Sequence, residues 1–381
     1  MITYLYMKRH VKNPEKTNVI FIRRRLLVLL ILLVPPISFR LLRSNRAVMN
    51  FLTDRLTHPV RGFIAAVCSI TVWSVAEWLL ILAVLSAVAF IVFFTASLIK
   101  NSREVFFVIF RYLSSAGITA LTIMTLMALM WNANYYADSF SQKSGIVAGE
   151  TGVEELYETT RLMAALLSGS SGSVARDDNL LFAEDMDMLF NESTTVFRGI
   201  EQEYPFLKGR ELRCKKVFFS KGLSEIRTTG VAFPLTGEAN INIDQPAAFI
   251  PSTIAHEIAH QRKVASEQEA NFVAVLACEM SDSAAFRYSG YLFAYDYLAG
   301  ALAREDYGRF REINDSLDDG VKADLRFSYE YWRQYEGKIS EVSDSIYDDY
   351  LKTQGQEMGT KSYGAVVDLL IEYYYSRNEF N

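Results

Sequence analysis

Long apolar runs fill the first third of the chain, and helical periodicity broken by a few short alternating stretches fills the rest. Residues 26–39 form an apolar run, interrupted by Pro35-Pro36 and with Ser38 as its one polar residue. With arginines at both ends able to snorkel, they predict a first, kinked membrane span over about 22–42. Residues 62–75 are apolar too, but Glu77 separates them from the next run, which suits a position at the interface or against the spans. A second span is predicted over about 76–99 and a third over about 110–131, with Trp131, Tyr135 and Tyr136 as the aromatic anchor on the far side.

Beyond residue 136 the period changes. Residues 150–167 and 179–204 carry helical spacing, and the Ser/Gly stretch 169–174 between them reads as a mobile surface loop. Short strands are expected at 216–220 and 226–233. Ala239-Asn240-Ile241-Asn242-Ile243-Asp244 alternates as a half-exposed strand does. Helices are expected again over 288–303, 321–335, 339–351 and 362–375. The fold expected is an all-α membrane region of three transmembrane helices (1–136), followed by one α+β domain (137–381), mostly helical with a small sheet.

Charge divides the chain at the same place. Up to Trp131 there are 15 Lys+Arg against 4 Asp+Glu; the remaining residues have 24 against 40, in agreement with the totals of 39 and 44. An acidic globular part repels phosphate backbones, which argues against nucleic acid as a partner. Half the residues are hydrophobic and the mean hydropathy is +0.10, as befits a chain with membrane lipid around part of it. Lys/Arg are denser in the N-terminal tail and at Lys100 and Arg103 than after Trp131. The tail is therefore expected in the cytoplasm and the acidic domain, three crossings later, outside it. Cys68, Cys214 and Cys278 lack the spacing of a disulfide framework or a cysteine zinc site.

One motif carries chemistry. His256-Glu257-Ile258-Ala259-His260 puts two imidazoles one helical turn apart on one face, the spacing that grips a zinc ion, with Glu257 beside them to work on water. A third, oxygen ligand is needed. Ser266 followed by Glu269 reads as a capping box that starts a second helix, with Glu267 in its first turn. Glu267 is the expected ligand and Glu269 the substitute. Asn271, one turn later, is placed to hydrogen-bond a ligand from behind. The motif is flanked by Ser252, Thr253, Gln261, Arg262 and Lys263, so it does not lie inside a span.

His256-Glu257-x-x-His260 followed by Glu267-x-x-x-Asn271 resembles the zincin metallopeptidases of the gluzincin type. The wider pattern resembles an uncharacterised bacterial membrane family, domain of unknown function 3810: Trp131-Asn132-Ala133-Asn134-Tyr135-Tyr136, Thr236-Gly237-Glu238-Ala239-Asn240, and Tyr350-Leu351-Lys352 through Gly359-Thr360-Lys361-Ser362-Tyr363-Gly364. Lys263 stands where such families often have glycine. The resemblance implies a zincin-like fold in a multi-pass bacterial membrane protein and hydrolysis of a peptide or protein substrate. It also implies an edge strand before the metal helix, a role expected of residues 239–244, with Asn240 and Asn242 along the substrate. Zinc would acidify water, Glu257 would take its proton, and Tyr363 is the candidate donor to the oxyanion. The rival expectation is a non-catalytic envelope protein whose zinc is structural or vestigial. An intact Glu257 favours the enzyme, because a structural site has no use for a base.

Overall fold

The computed structural model describes residues 14–149, 151–354, 356 and 363–376. Three of its helices are long and apolar enough to cross a membrane: Asn18–Leu42, Val75–Lys100 and Val105–Met130. The first lies within α1 (Pro14–Leu42), which stays helical through Pro35-Pro36. Between it and the next come α2 (Arg46–Leu52), a π turn (Thr53–Thr57) and α3 (His58–Cys68). The other two are α4 (Val75–Lys100) and α5 (Val105–Met130). α1 lies along α5, where Arg25 donates to the Ser115 hydroxyl at 3.2 Å. α4 meets α5 through Phe90 and Phe94 on the Tyr112 ring, at 5.2 and 5.0 Å. Most large apolar side chains on α1 and α4 face outward, the arrangement of helices whose solvent is lipid.

The rest is helical around one small sheet. α6 (Phe140–Ser144), α7 (Val153–Ser171), α8 (Met186–Glu192) and α9 (Arg198–Glu203) precede β1 (Lys215–Lys216) and α10 (Ser220–Glu225). Then come β2 (Gly230–Ala232), β3 (Ala239–Ile241), α11 (Ile250–Gln261), α12 (Glu267–Glu279) and α13 (Ala284–Glu305). α14 (Tyr307–Ser316), α15 (Asp319–Arg333), α16 (Lys338–Thr353) and α17 (Tyr363–Ser376) complete it. α11 and α12 are sheathed by α13, α17 and the sheet, with α7 packed on α13 and α17, so Ile254, Ala255, Phe272, Val273 and Leu276 are fully buried.

Several expected elements differ in extent. Residues 169–171 continue α7 rather than opening a loop, and 179–204 holds two short helices, α8 and α9, separated by turns. The sheet order is β1-β3-β2, with β1 parallel and β2 antiparallel to β3. The strand containing Asn240 is therefore central, not an edge; both of its sides are already paired.

The sheet and α4 are tied together. Glu238, in the β2–β3 hairpin, accepts the Val75 and Ala76 amides at 3.1 and 2.9 Å, which satisfies the free N–H groups of the helix start. Glu77 reciprocates, accepting from Phe218 and Phe219 at 2.9 and 3.0 Å. The buried ammonium of Lys215 donates to the Cys68 and Thr71 carbonyls after α3.

Candidate metal centre

α11 places His256 and His260 four residues apart, their ring centroids 4.6 Å from one another. The chain then has to reverse within five residues. It does so with Lys263 in the left-handed region, φ +75°, while the Val264 amide bonds back to the Ala259 carbonyl at 3.1 Å. Lysine thus takes the conformation that usually falls to glycine, and its ammonium is fixed by Asp54 at 2.8 Å. Ser266 caps α12 by accepting the Glu269 amide, leaving Glu267 as the first helical residue, turned toward the histidines.

The result is convergence. Nε2 of His256 lies 3.3 Å from one Glu267 oxygen and Nε2 of His260 lies 3.5 Å from the other. One ligand atom from each of the three residues fits within 4.8 Å of the others. Nδ1 of His260 is spent on the Val264 carbonyl at 2.7 Å, which aims Nε2 inward and fixes the ring, as outer partners of ligating histidines do. Two imidazoles and one carboxylate with an open side are a donor set that zinc accepts. Burial works to raise the Glu267 carboxyl, but the two histidines outweigh it and hold it well below the ordinary carboxylate range. Burial likewise works to lower His260, and Glu267 overcomes it, moving the ring up to about 9.

Glu257 sits beside this group, 3 % exposed, with Oε2 unpartnered. Burial raises its carboxyl, against the pull of the two histidines. It lies against β2. A Cβ on Gly230 would come 2.5 Å from its Oε1, so only glycine lets carboxylate and strand approach this closely. β2 is an outer strand of the sheet, and the edge position that sequence assigned to 239–244 belongs to it. Asn240 and Asn242 are buried: Asn240 donates to the Val231 and Glu238 carbonyls, Asn242 to Ser224 and the Thr228 carbonyl. These amides hold strands and turns together and face no cleft.

The remaining expected residues separate. Glu269 turns away from the histidines and accepts the Phe140 and Ser141 amides at 2.9 and 3.0 Å, capping α6; only half of the capping box with Ser266 forms. The Asn271 amide goes to the Tyr297 hydroxyl at 3.1 Å. Tyr363 opens α17, but its side chain, with Lys361 and Ser362, lies outside the described residues.

Four aromatic residues that sequence did not assign to the site wall it. Tyr347 on α16 donates to Glu267 Oε1 at 2.5 Å. Trp131, 8 % exposed at the end of α5, meets His260 edge-on at 5.6 Å. Tyr135 packs between Trp131 and Tyr350, and Tyr350 donates to Asn132 at 3.0 Å. Tyr347→Phe is expected to weaken zinc binding by about 10–100-fold, the usual cost of losing a partner behind a ligand. Zinc titration of the two full-length proteins measures this, and equal affinities would show that the phenol does not hold Glu267.

Over residues 53–371 the chain matches the family described as Protein of unknown function (DUF3810), and it belongs to that family. The match takes in α3, α4 and α5 together with the whole candidate centre. No curated protein and no solved structure matches the chain.

Proposed function

We propose that the chain is a membrane-anchored zinc metallopeptidase of zincin type, spanning the bilayer three times with its globular part outside the cytoplasm. The observation that carries this reading is the convergence of His256, His260 and Glu267 beside a buried carboxylate, Glu257, with a free oxygen. A zinc ion held by those three residues supplies a Lewis acid and a water acidified to a pKa of about 7. Glu257 accepts the proton and hands it to the departing amine; its raised affinity for protons, a consequence of burial, suits a base that must release one again. Tyr363, whose side chain lies outside the described residues, stays the donor proposed for the oxyanion, because the one O–H of Tyr347 is spent on Glu267. An extended substrate adds along the outer side of β2, next to Glu257, with backbone pairing as the source of affinity.

The direct test incubates full-length protein, stripped with a chelator and then reloaded with zinc, with a mixed peptide library. Cleavage that disappears with chelation and returns with zinc is expected. A fully loaded protein that cuts nothing would leave the binding-protein alternative standing. Within the same assay, Gly230→Ala is expected to keep its zinc while turnover falls by about 10²-fold, because a misplacement of about 1 Å at the reacting groups costs that much. Unchanged turnover would show that the contact between β2 and Glu257 has no part in catalysis.

A further inference from the structure

A cavity of about 220 Å³ lies between α3, the segment before β1 and the end of α11. His58, Arg61, Arg210 and Arg262 line it, and no carboxylate does. Arg61 is 4 % exposed, its guanidinium 4.9 Å from the face of Trp131. Nε and Nη2 of Arg61 have no hydrogen-bond partner, and Arg61 forms no ion pair among the described residues. Arg262 is 5 % exposed; it reaches Glu201 at 3.1 Å and the Arg210 carbonyl at 2.9 Å, with Nε unpartnered. Gly209 exists in its form because a Cβ there would lie 2.2 Å from Arg262 Nη1. The Arg210 side chain runs past Gly62, toward the same space.

Buried guanidinium groups are almost always paired, because leaving one unpaired costs far more than surface charge does. Burial lowers Arg61 to about 10, which still leaves it charged at neutral pH. Burial, helped by the charges of Lys263, Arg262 and Arg61, lowers His58 to about 4, so that ring enters the cavity uncharged. Among the described residues, Glu201 pairs with Arg262; Glu211 also acts on Arg262 but is itself bound to Arg198.

We propose that this cavity binds a phosphate-bearing anion, held by Arg61, Arg210 and Arg262. Three guanidinium groups around one space suit a group with at least three acceptor oxygens, which phosphate has and carboxylate lacks. The volume falls below the roughly 300–1,000 Å³ of pockets that take whole drug-sized ligands, so the occupant is a head group or a free oxyanion. Position favours the head group. α3 lies between two helices able to cross the membrane and leads through residues 69–74 into the start of α4, which places the cavity at the level of the head-group region, where phospholipids carry their phosphates. This proposal does not depend on peptidase activity.

The test uses the full chain, purified in uncharged detergent and stripped of lipid, and follows thermal unfolding. Dioctanoyl phosphatidylglycerol is expected to raise the midpoint with increasing concentration; dioctanoylglycerol, which lacks phosphate, is expected to leave it in place. Arg61→Gln should weaken the apparent affinity by about tenfold or more, the value of a charge-assisted hydrogen bond. Arg210→Gln, at an exposed position, should weaken it while leaving the ligand-free midpoint unchanged, which keeps the test valid if Arg61→Gln fails to fold. Inorganic phosphate matching the lipid mole for mole would support the site and identify its occupant as free phosphate. No shift with either phosphate compound, or a shift undiminished in Arg210→Gln and in any folded Arg61→Gln protein, would overturn the proposal.

Discussion

Glu257→Gln is expected to leave zinc bound and to cut peptide hydrolysis by about 10²–10⁴-fold, the range that a positioned general base supplies. The amide keeps the size and the Ala232 contact open to the carboxylate but takes up no proton. Because the Glu257 side chain is not among the three converging ligands, metal content should match that of the unaltered protein. Zinc analysis and turnover on the same preparation separate the outcomes. Equal turnover by the two proteins would remove Glu257 from the chemistry and, with it, the reading of this centre as hydrolytic.

The second large effect separates two carboxylates on the first turn of α12. Glu267→Ala takes away one of three ligands, and zinc affinity should fall by more than the roughly 10–100-fold that an outer partner costs. Glu269→Ala should bind zinc as before and lose stability instead. Its carboxylate is 6 % exposed and serves two backbone amides of α6, so about 1.5–3 kcal/mol per charged hydrogen bond is at stake. Metal titration and thermal unfolding, run on both variants, give opposite patterns. Full zinc retention by Glu267→Ala would show that the carboxylate facing the histidines is not a ligand.

Legibility in sequence followed distance along the chain. His256 and His260 are set by helical periodicity, and Glu267 by a turn and an N-cap, all within 12 residues, so local rules place them. The three long apolar helices were equally plain, because membrane length and composition are local properties too. What sequence did not reveal was brought in from afar. Tyr347 reaches Glu267 across 80 residues, and nothing in the spacing of α16 distinguishes that tyrosine from the others in the stripe. Trp131 reads as an interfacial anchor, since a tryptophan at the end of an apolar helix usually is one; its packing on His260 is a long-range contact that spacing does not reveal. Glu269 and Asn271 have the right spacing for the centre, but longer-range partners, α6 and Tyr297, claim their polar groups. The strand assignment failed for a related reason. Alternation in 239–244 marked a strand, but whether a strand is central depends on neighbours that alternation does not name, and two buried asparagines mimicked a solvent face.

The mutual clasp of Glu238 on the first amides of α4 and of Glu77 on Phe218 and Phe219 joins α4 to the sheet that flanks the candidate centre. Cutting the chain after Tyr136 would not release the candidate centre intact. It would take away the wall that Trp131 gives to His260 and the helix start to which the β2–β3 hairpin is bolted. The candidate centre therefore keeps one fixed stance toward the ends of α4 and α5, and under the proposed anchoring what it can reach is decided by its height above the lipid.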